Sequence, residues 1–390
     1  MTAQDLAING GQSVLAAPLP FRSVFGEECA ELVSDLMASR PLSTLFGNHD
    51  VAELECTFTQ YTGAQHAVAV NAGTSALHCA LVALGIGPGD EVAVTSFSFI
   101  ASASVILQVG ARPVFIDIEP DHLTLSVESL RQRRTPLTKA VIAVHIFGFP
   151  CDMDPLQAYC EESGLFLIED ACQSLGAFHR GRHTGSMGHC GCFSFNVNKL
   201  VQCGEGGMLI TDDEELAERV RQLRVNGLSQ FGQDRLGFNY TLNNLSALLA
   251  KIQIPRIHEF RDKRRRHAQF LTERIRPFCT VLTDSRSECH SVDYALPILL
   301  PIAEMRETVI QALILEGVPL SGLYTILYHH DFMSPYAPAE PCRIAEASIS
   351  RLISFNPSHL YEETEIRLFG QAFDKVLSRL DELSGMTVCL

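Results

Sequence analysis

The chain has 390 residues, 46% hydrophobic and 19% charged, with a formal net charge of -15. That acidity argues against nucleic acid or an anionic membrane as the main partner, since both reward clustered Lys and Arg, while the length allows two cores, one large and one small. The 13 cysteines are scattered and odd in number, no apolar run reaches the roughly 18 to 20 residues of a membrane span, and "MTAQDLAINGGQSVLAAPLPF" lacks the basic start and unbroken apolar core of a signal peptide, so a soluble cytoplasmic enzyme with reduced thiols is expected.

From residue 66 to 211 short, β-branched apolar runs recur: "HAVAVN", "EVAVTSF", "PVFIDI", "AVIAVHIF", "LFLIEDA", "GCFSFN" and "GMLIT". Helix-like segments at 75–84, 101–109 and 155–163 separate several of them. The alternation predicts an α/β fold, a mainly parallel sheet with helices on both faces. Ligands of such sheets gather at the carboxyl ends of the strands, so functional residues are expected just after these runs.

Beyond the sheet, "DDEELAERVRQLRVNG" reads as an exposed helix that leads with acids, follows with arginines and closes at Gly227. Residues 228–240 read as a long glycine-rich loop, and 243–275 as one helical stretch. Its basic run "RDKRRR" at 261–266 reads as a solvated helix face. Strand-like "YALPILL" and helix-like "AEMRETVIQALILEG" then suggest a smaller domain. The expected division is an N-terminal segment 1–46, a large domain 47–255 and a small α+β domain 256–390.

Several residues could carry chemistry. Asp170 ends "LFLIED", and a carboxylate at a buried strand end is expensive unless paired, although Asp there also caps helices. "NAGTSAL", 71–77, sets Gly73, Thr74 and Ser75 at a helix N-terminus, which suits a phosphate or an ordinary cap equally. Lys199 follows "CFSFN" and precedes "GEGG"; a lysine held in a ligand crevice can serve as an amine nucleophile, where most lysines only solvate a surface. "HCGC" at 189–192 lacks the spacing of paired zinc thiolates, so buried apolar cysteines are expected and no metal. For His145 a satisfied core histidine and a catalytic one stay open.

In chain order these give a Gly-Thr-Ser cradle, the aromatic strand end "SFSF", a strand ending Glu-Asp, and a lysine before a glycine-rich turn. Those are the parts that hold pyridoxal 5'-phosphate: an anion site, a ring face, a carboxylate for the pyridinium nitrogen and a Schiff-base lysine. Through "GTSAL", "GPGDEVAVTSFSFIASASVIL", "GARPVFIDIEP", "HIFGFPCDMDPL", "IEDACQSLGA", "FSFNVNK", "GEGGMLITDD" and "GFNYTLNNLSALLAKIQI" the chain resembles the DegT family of pyridoxal-phosphate-dependent sugar aminotransferases. The resemblance implies fold type I, with a seven-stranded sheet in the large domain. It implies Lys199 as the Schiff-base lysine and proton carrier, Asp170 on the pyridinium nitrogen, Gln173 on the ring's phenolic oxygen and Phe99 stacked on the ring. Gly73, Thr74, Ser75 and Ser194 would hold the phosphate, and Asn239 of "GFNY" would reach the phosphate of a neighbouring subunit in a homodimer.

Two details depart from the family pattern: Thr241 stands where Arg is common after "GxNY", and Phe355-Asn356-Pro357 where Leu-Pro is common. The dehydratases related to this family carry His in place of the lysine, so Lys199 favours transamination. The resemblance implies an amino group taken from glutamate or glutamine and placed on a keto sugar or a keto-cyclitol, in amino-sugar, aminocyclitol or antibiotic biosynthesis. Elimination, dehydration or aminohydroxybenzoate-type chemistry on the same scaffold, and a non-catalytic sensor, are the alternatives. Tyr324, Tyr328 and His329 either line the substrate side or pack locally.

Overall fold

In the computed structural model, which describes residues 5–44, 49–229, 232–233, 236–320 and 324–383, all seven apolar runs become strands of a single sheet. They are β1 His66–Val70, β2 Glu91–Thr95, β3 Arg112–Ile116, β4 Thr138–Val144, β5 Phe166–Asp170, β6 Cys190–Ser194 and β7 Gly207–Thr211, in spatial order β1-β7-β6-β5-β4-β2-β3. Neighbours from β6 to β3 run parallel, and β7 runs antiparallel to both β6 and β1. Ala140, Val141, Ile142 and Ala143 of β4 are all fully buried, as a central strand covered on both faces requires.

Helices fill the crossovers. After α1 Glu27–Ser39 and α2 His49–Thr62 come α3 Gly73–Ala83, α4 Ala101–Gln108, α5 Val127–Arg133 and α6 Met153–Ser163, each between successive parallel strands. β6 and β7 instead form an antiparallel hairpin, and its loop, 195–206, carries Lys199. Since β7 lies between β1 and β6, the sheet brings together the start of α3, the end of β5 and the end of β6.

Helix α7, Glu214–Leu223, starts where expected because the Asp213 carboxylate accepts the Leu216 amide at 3.0 Å. The expected helix 243–275 is broken: α8 spans Asn244–Lys251 and α9 spans Ile257–Ile275, with a 3-10 turn at Ile254–Arg256 between them. Pro255 explains the break, having no N–H to donate and a ring that collides with the preceding turn. Within the expected loop 228–240, Leu228–Ser229 pairs with Gly232–Gln233; residues 230, 231, 234 and 235 lie outside the described residues, as does the expected boundary at 46/47.

A second layer pairs β8 Thr280–Val281, β9 Leu296–Leu299 and β10 Leu352–Phe355 antiparallel. It packs with α9, α10 Arg306–Leu315 and α11 Glu363–Leu377 around Leu271, Ile298, Leu313, Phe355, Phe369 and Phe373. Each such buried side chain contributes about 1.5–3 kcal/mol of burial. Leu6, from the chain's start, completes this core, and the buried Glu316 carboxylate holds it there by accepting the amides of Ala7 at 2.8 Å and Val14 at 3.0 Å. The run 261–266 is not wholly a solvated face. Arg264 is 1% exposed, because α9 turns it inward with Phe260, His267 and Leu271; burial lowers its pKa to about 10.

Candidate active site

Strand β5 ends on two buried carboxylates that alternate in direction. Glu169 Oε1 accepts the amides of Met187 and Gly188, both at 2.6 Å, and Oε2 accepts the Gly185 amide at 2.7 Å and His145 Nε2 at 2.9 Å. Burial alone would raise this carboxyl's pKa; the His145 contact and the amides outweigh it and hold the group below the usual carboxylate range. The Cys151 amide donates to His145 Nδ1 at 3.0 Å, which leaves the ring proton on Nε2. His145 is therefore a satisfied core histidine.

Asp170 points the other way. Its Oδ2 accepts the Ser102 hydroxyl at 2.7 Å and its Oδ1 the Cys172 amide at 3.2 Å. The carboxylate is 5% exposed, and among the described residues no Lys or Arg forms an ion pair with it. A buried anion without a cation is costly, so this oxygen pair is suited to a cationic ligand group.

The start of α3 lies beside it. The first backbone bond there runs from Ala76 N–H to Ala72 C=O, which leaves the amides of Gly73, Thr74 and Ser75 outside the helix ladder. A Cβ on Gly73 would fall 2.7 Å from Cys172 Sγ and 2.9 Å from Ser194 Cβ, so only glycine lets the helix end approach β6 this closely. The Ser194 hydroxyl accepts the Asn196 amide at 3.4 Å. Ser75 is already committed, donating to Asn71 Oδ1 at 2.6 Å. Asn71 in turn donates to the Asn239 carbonyl at 3.5 Å, and the exposed Asn239 side chain accepts from Thr241 at 3.3 Å.

Lys199 lies in the loop between β6 and β7. Its ammonium donates to the Tyr294 hydroxyl at 3.4 Å and stands 4.7 Å from the centre of that ring. Burial, then the Asp170 charge, raise the pKa of the Cys172 thiol well above the usual thiol value, while Lys199 acts in the opposite sense.

Aromatic rings form the next wall. Phe97 is buried against Phe147, whereas Phe99 is 52% exposed with its ring centre 6.0 Å from that of Tyr324. Tyr324 stacks on Phe147 at 6.3 Å, and its hydroxyl accepts from Gln173 Nε2 at 3.4 Å. Gln173 Oε1 is taken by the Phe147 amide at 2.8 Å, so Gln173 offers the site its amide hydrogens. Burial, then Tyr294, push the Tyr324 phenol's pKa upward. Of Tyr324, Tyr328 and His329, Tyr324 joins the site, whereas Tyr328 and His329 bond Glu346 at 2.8 and 3.0 Å.

A cavity of about 720 Å³ opens over Lys199, Tyr294 and Tyr324, in the range of a small-molecule site. Its outer wall includes Arg22, Asn356 and Glu365. Sequence reasoning missed Ser102, Tyr294 and Arg22. Ser102 had a faint signal, a hydroxyl four residues after Ser98 in the first turn of a mainly apolar helix; Tyr294 and Arg22 had none. Cys190 and Cys192 lie in the hydrophobic core, as expected.

The DegT/DnrJ/EryC1/StrS aminotransferase family model matches residues 24–369. A GDP-perosamine synthase of Caulobacter vibrioides is 43% identical over 219 residues, 55% of this chain and 59% of that protein. A UDP-N-acetyl-3-dehydro-alpha-D-glucosamine 3-aminotransferase of Acidithiobacillus ferrooxidans is 37% identical over 314 residues, 80% of this chain and 84% of that one. Among solved structures, an aminotransferase from Psychrobacter cryohalolentis superimposes with a TM-score of 0.88 at 28% identity, covering 94% of this chain and all of that one. Among the described residues no helix is long and apolar enough to cross a membrane.

Proposed function

The chain belongs to the DegT/DnrJ/EryC1/StrS aminotransferase family and is a pyridoxal-phosphate-dependent aminotransferase; from that premise we propose that it moves the amino group of glutamate or glutamine onto the keto carbon of a nucleotide-linked sugar. The two relatives named for nucleotide-linked sugars support this substrate class over a free keto-cyclitol. The single observation that carries the site assignment is Asp170, a buried carboxylate with no ion-pair partner among the described residues, at the end of the strand next to the β6–β7 hairpin whose loop carries Lys199.

The residues fit the cofactor. Asp170 would pair with a pyridinium N–H, the amides of residues 73–75 with the hydroxyls of Thr74 and Ser194 would take the phosphate, Phe99 would cover the ring and Gln173 would donate to its phenolic oxygen; Ser75, whose hydroxyl is held by Asn71, would contribute its amide alone. When bound, pyridoxal phosphate supplies an aldehyde carbon and an electron sink for cleaving a Cα–H bond. With the cofactor in place Lys199 would have two tasks: its Nζ would hold the cofactor at that carbon, and the same amine would take the proton from the substrate's Cα and return one on the other side of the exchange. The Tyr294 hydroxyl holds Nζ in place, and Ser102 fixes the Asp170 carboxylate. Asn239 is exposed, as a residue serving a neighbouring subunit's phosphate in a homodimer would be.

The test combines product and label. Purified holoenzyme with glutamate and a keto sugar should give amino sugar and 2-oxoglutarate in equal amounts, and a product without nitrogen would point to elimination chemistry instead. Borohydride should fix the cofactor to the wild-type chain and not to Lys199→Ala, whose turnover should fall at least about 100-fold. Fixation that persists in Lys199→Ala refutes the assignment.

A further inference from the structure

A transaminase takes its donor and its acceptor in turn at one lysine. The donor brings carboxylate charge, and the acceptor ring brings neutral hydroxyls to the same space. A fixed cation that suits the first substrate would stand desolvated and unpaired beside the second.

Arg22 has the features that resolve this conflict. It lines the cavity that holds Lys199, and it lies in a stretch, 17–25, that forms neither helix nor strand. Its Nη2 donates to Glu365 Oε1 at 3.0 Å and its Nη1 to Glu362 Oε1 at 3.5 Å, while its buried Nε has no hydrogen-bond partner. The two glutamates cannot follow Arg22 if it moves. Glu365 and Glu362 form the capping box of α11, with Glu365 Oε2 accepting the Glu362 amide at 2.8 Å. The wall therefore presents a guanidinium on an irregular segment, held by carboxylates at the start of a helix. Asn356 Oδ1, buried in the same wall and without a partner, offers an acceptor suited to a hydroxyl and not to a carboxylate.

The geometry points to Arg22 as the donor-recognition residue, a switch that pairs with Glu362 and Glu365 while the keto sugar occupies the site and turns its fork to the donor's carboxylate when the amino acid enters. Exchange of one carboxylate for another keeps the guanidinium neutralised in both half-reactions. This rests on the reading that glutamate or glutamine is the donor.

The experiment is calorimetric titration of the holoenzyme with glutarate, a dicarboxylate that has neither amino nor keto group, alongside single-turnover measurement of each half-reaction. Arg22→Met should weaken glutarate binding by about 10- to 100-fold and slow the glutamate half-reaction at low donor, with the keto-sugar half-reaction changed less than about threefold. Glu362→Gln removes one competing carboxylate and leaves Arg22 intact; it should tighten glutarate binding by about two- to fivefold, and it decides the matter if Arg22→Met does not fold. Wild-type glutarate binding that is unaltered in these variants, or a loss confined to the keto-sugar half-reaction, overturns the assignment of Arg22. A wild-type holoenzyme that binds no glutarate and is not converted by glutamate or glutamine overturns the donor reading itself, and the switch with it.

Discussion

Glu169→Gln tests the frame on which the site is built. In the wild type each carboxylate oxygen accepts two donors: Met187 and Gly188 amides on Oε1, Gly185 amide and His145 Nε2 on Oε2. Glutamine turns one oxygen into an NH2 group, and either orientation sets two buried donors against a third. Each such donor left unmade costs about 1–3 kcal/mol, so the substitution should cost about 2–6 kcal/mol, a large part of a stability of about 5–15 kcal/mol. The pH dependence has a definite sign. Glu169 has a folded pKa lowered from 4.5, so its ionic contribution is fully present above that value and is lost as the pH falls through the folded pKa. The gap between wild type and variant should therefore be widest at neutral pH and narrow below about 4.5. Urea unfolding followed by far-ultraviolet circular dichroism at several pH values measures it. A cost under about 1 kcal/mol at pH 7, or a gap that widens on acidification, refutes the reasoning.

Two further substitutions probe the proposed cofactor site. Gly73→Ala places a methyl group 2.7 Å from Cys172 Sγ and 2.9 Å from Ser194 Cβ; it should cost about 1–3 kcal/mol and raise the dissociation constant for pyridoxal phosphate, and equilibrium dialysis showing unchanged affinity would contradict the packing argument. Ser102→Ala removes the hydroxyl that donates to Asp170 at 2.7 Å; it should weaken cofactor binding by about 1–3 kcal/mol while borohydride still labels Lys199, and a loss of labelling would mean that Ser102 acts on the lysine.

How much the sequence alone reveals differs by element. The seven strands of the sheet were legible because strands buried on both faces must be apolar and β-branched throughout. The positions of Asp170, Lys199 and the Gly73-Thr74-Ser75 turn were legible for a related reason: each lies at or soon after the carboxyl end of a strand, where an open α/β sheet collects its ligands. The break at Pro255 was written in the chain too, although the helical pattern on either side concealed it.

Other features depend on contacts between distant parts of the chain. Ser102 serves Asp170 across 68 positions and Tyr294 holds Lys199 across 95, and no local pattern reports such pairs. Arg264 belongs to a run that looks solvated, until the helix turns one member of it inward. Arg22 lies in an irregular segment without any periodicity, yet it meets Glu365 some 343 positions later at the cavity wall. Secondary structure and the strand-end residues follow from short-range periodicity and sterics, which the sequence carries locally. The partners that orient those residues are selected by packing between layers, and only the tertiary structure decides which of many compatible side chains arrive there.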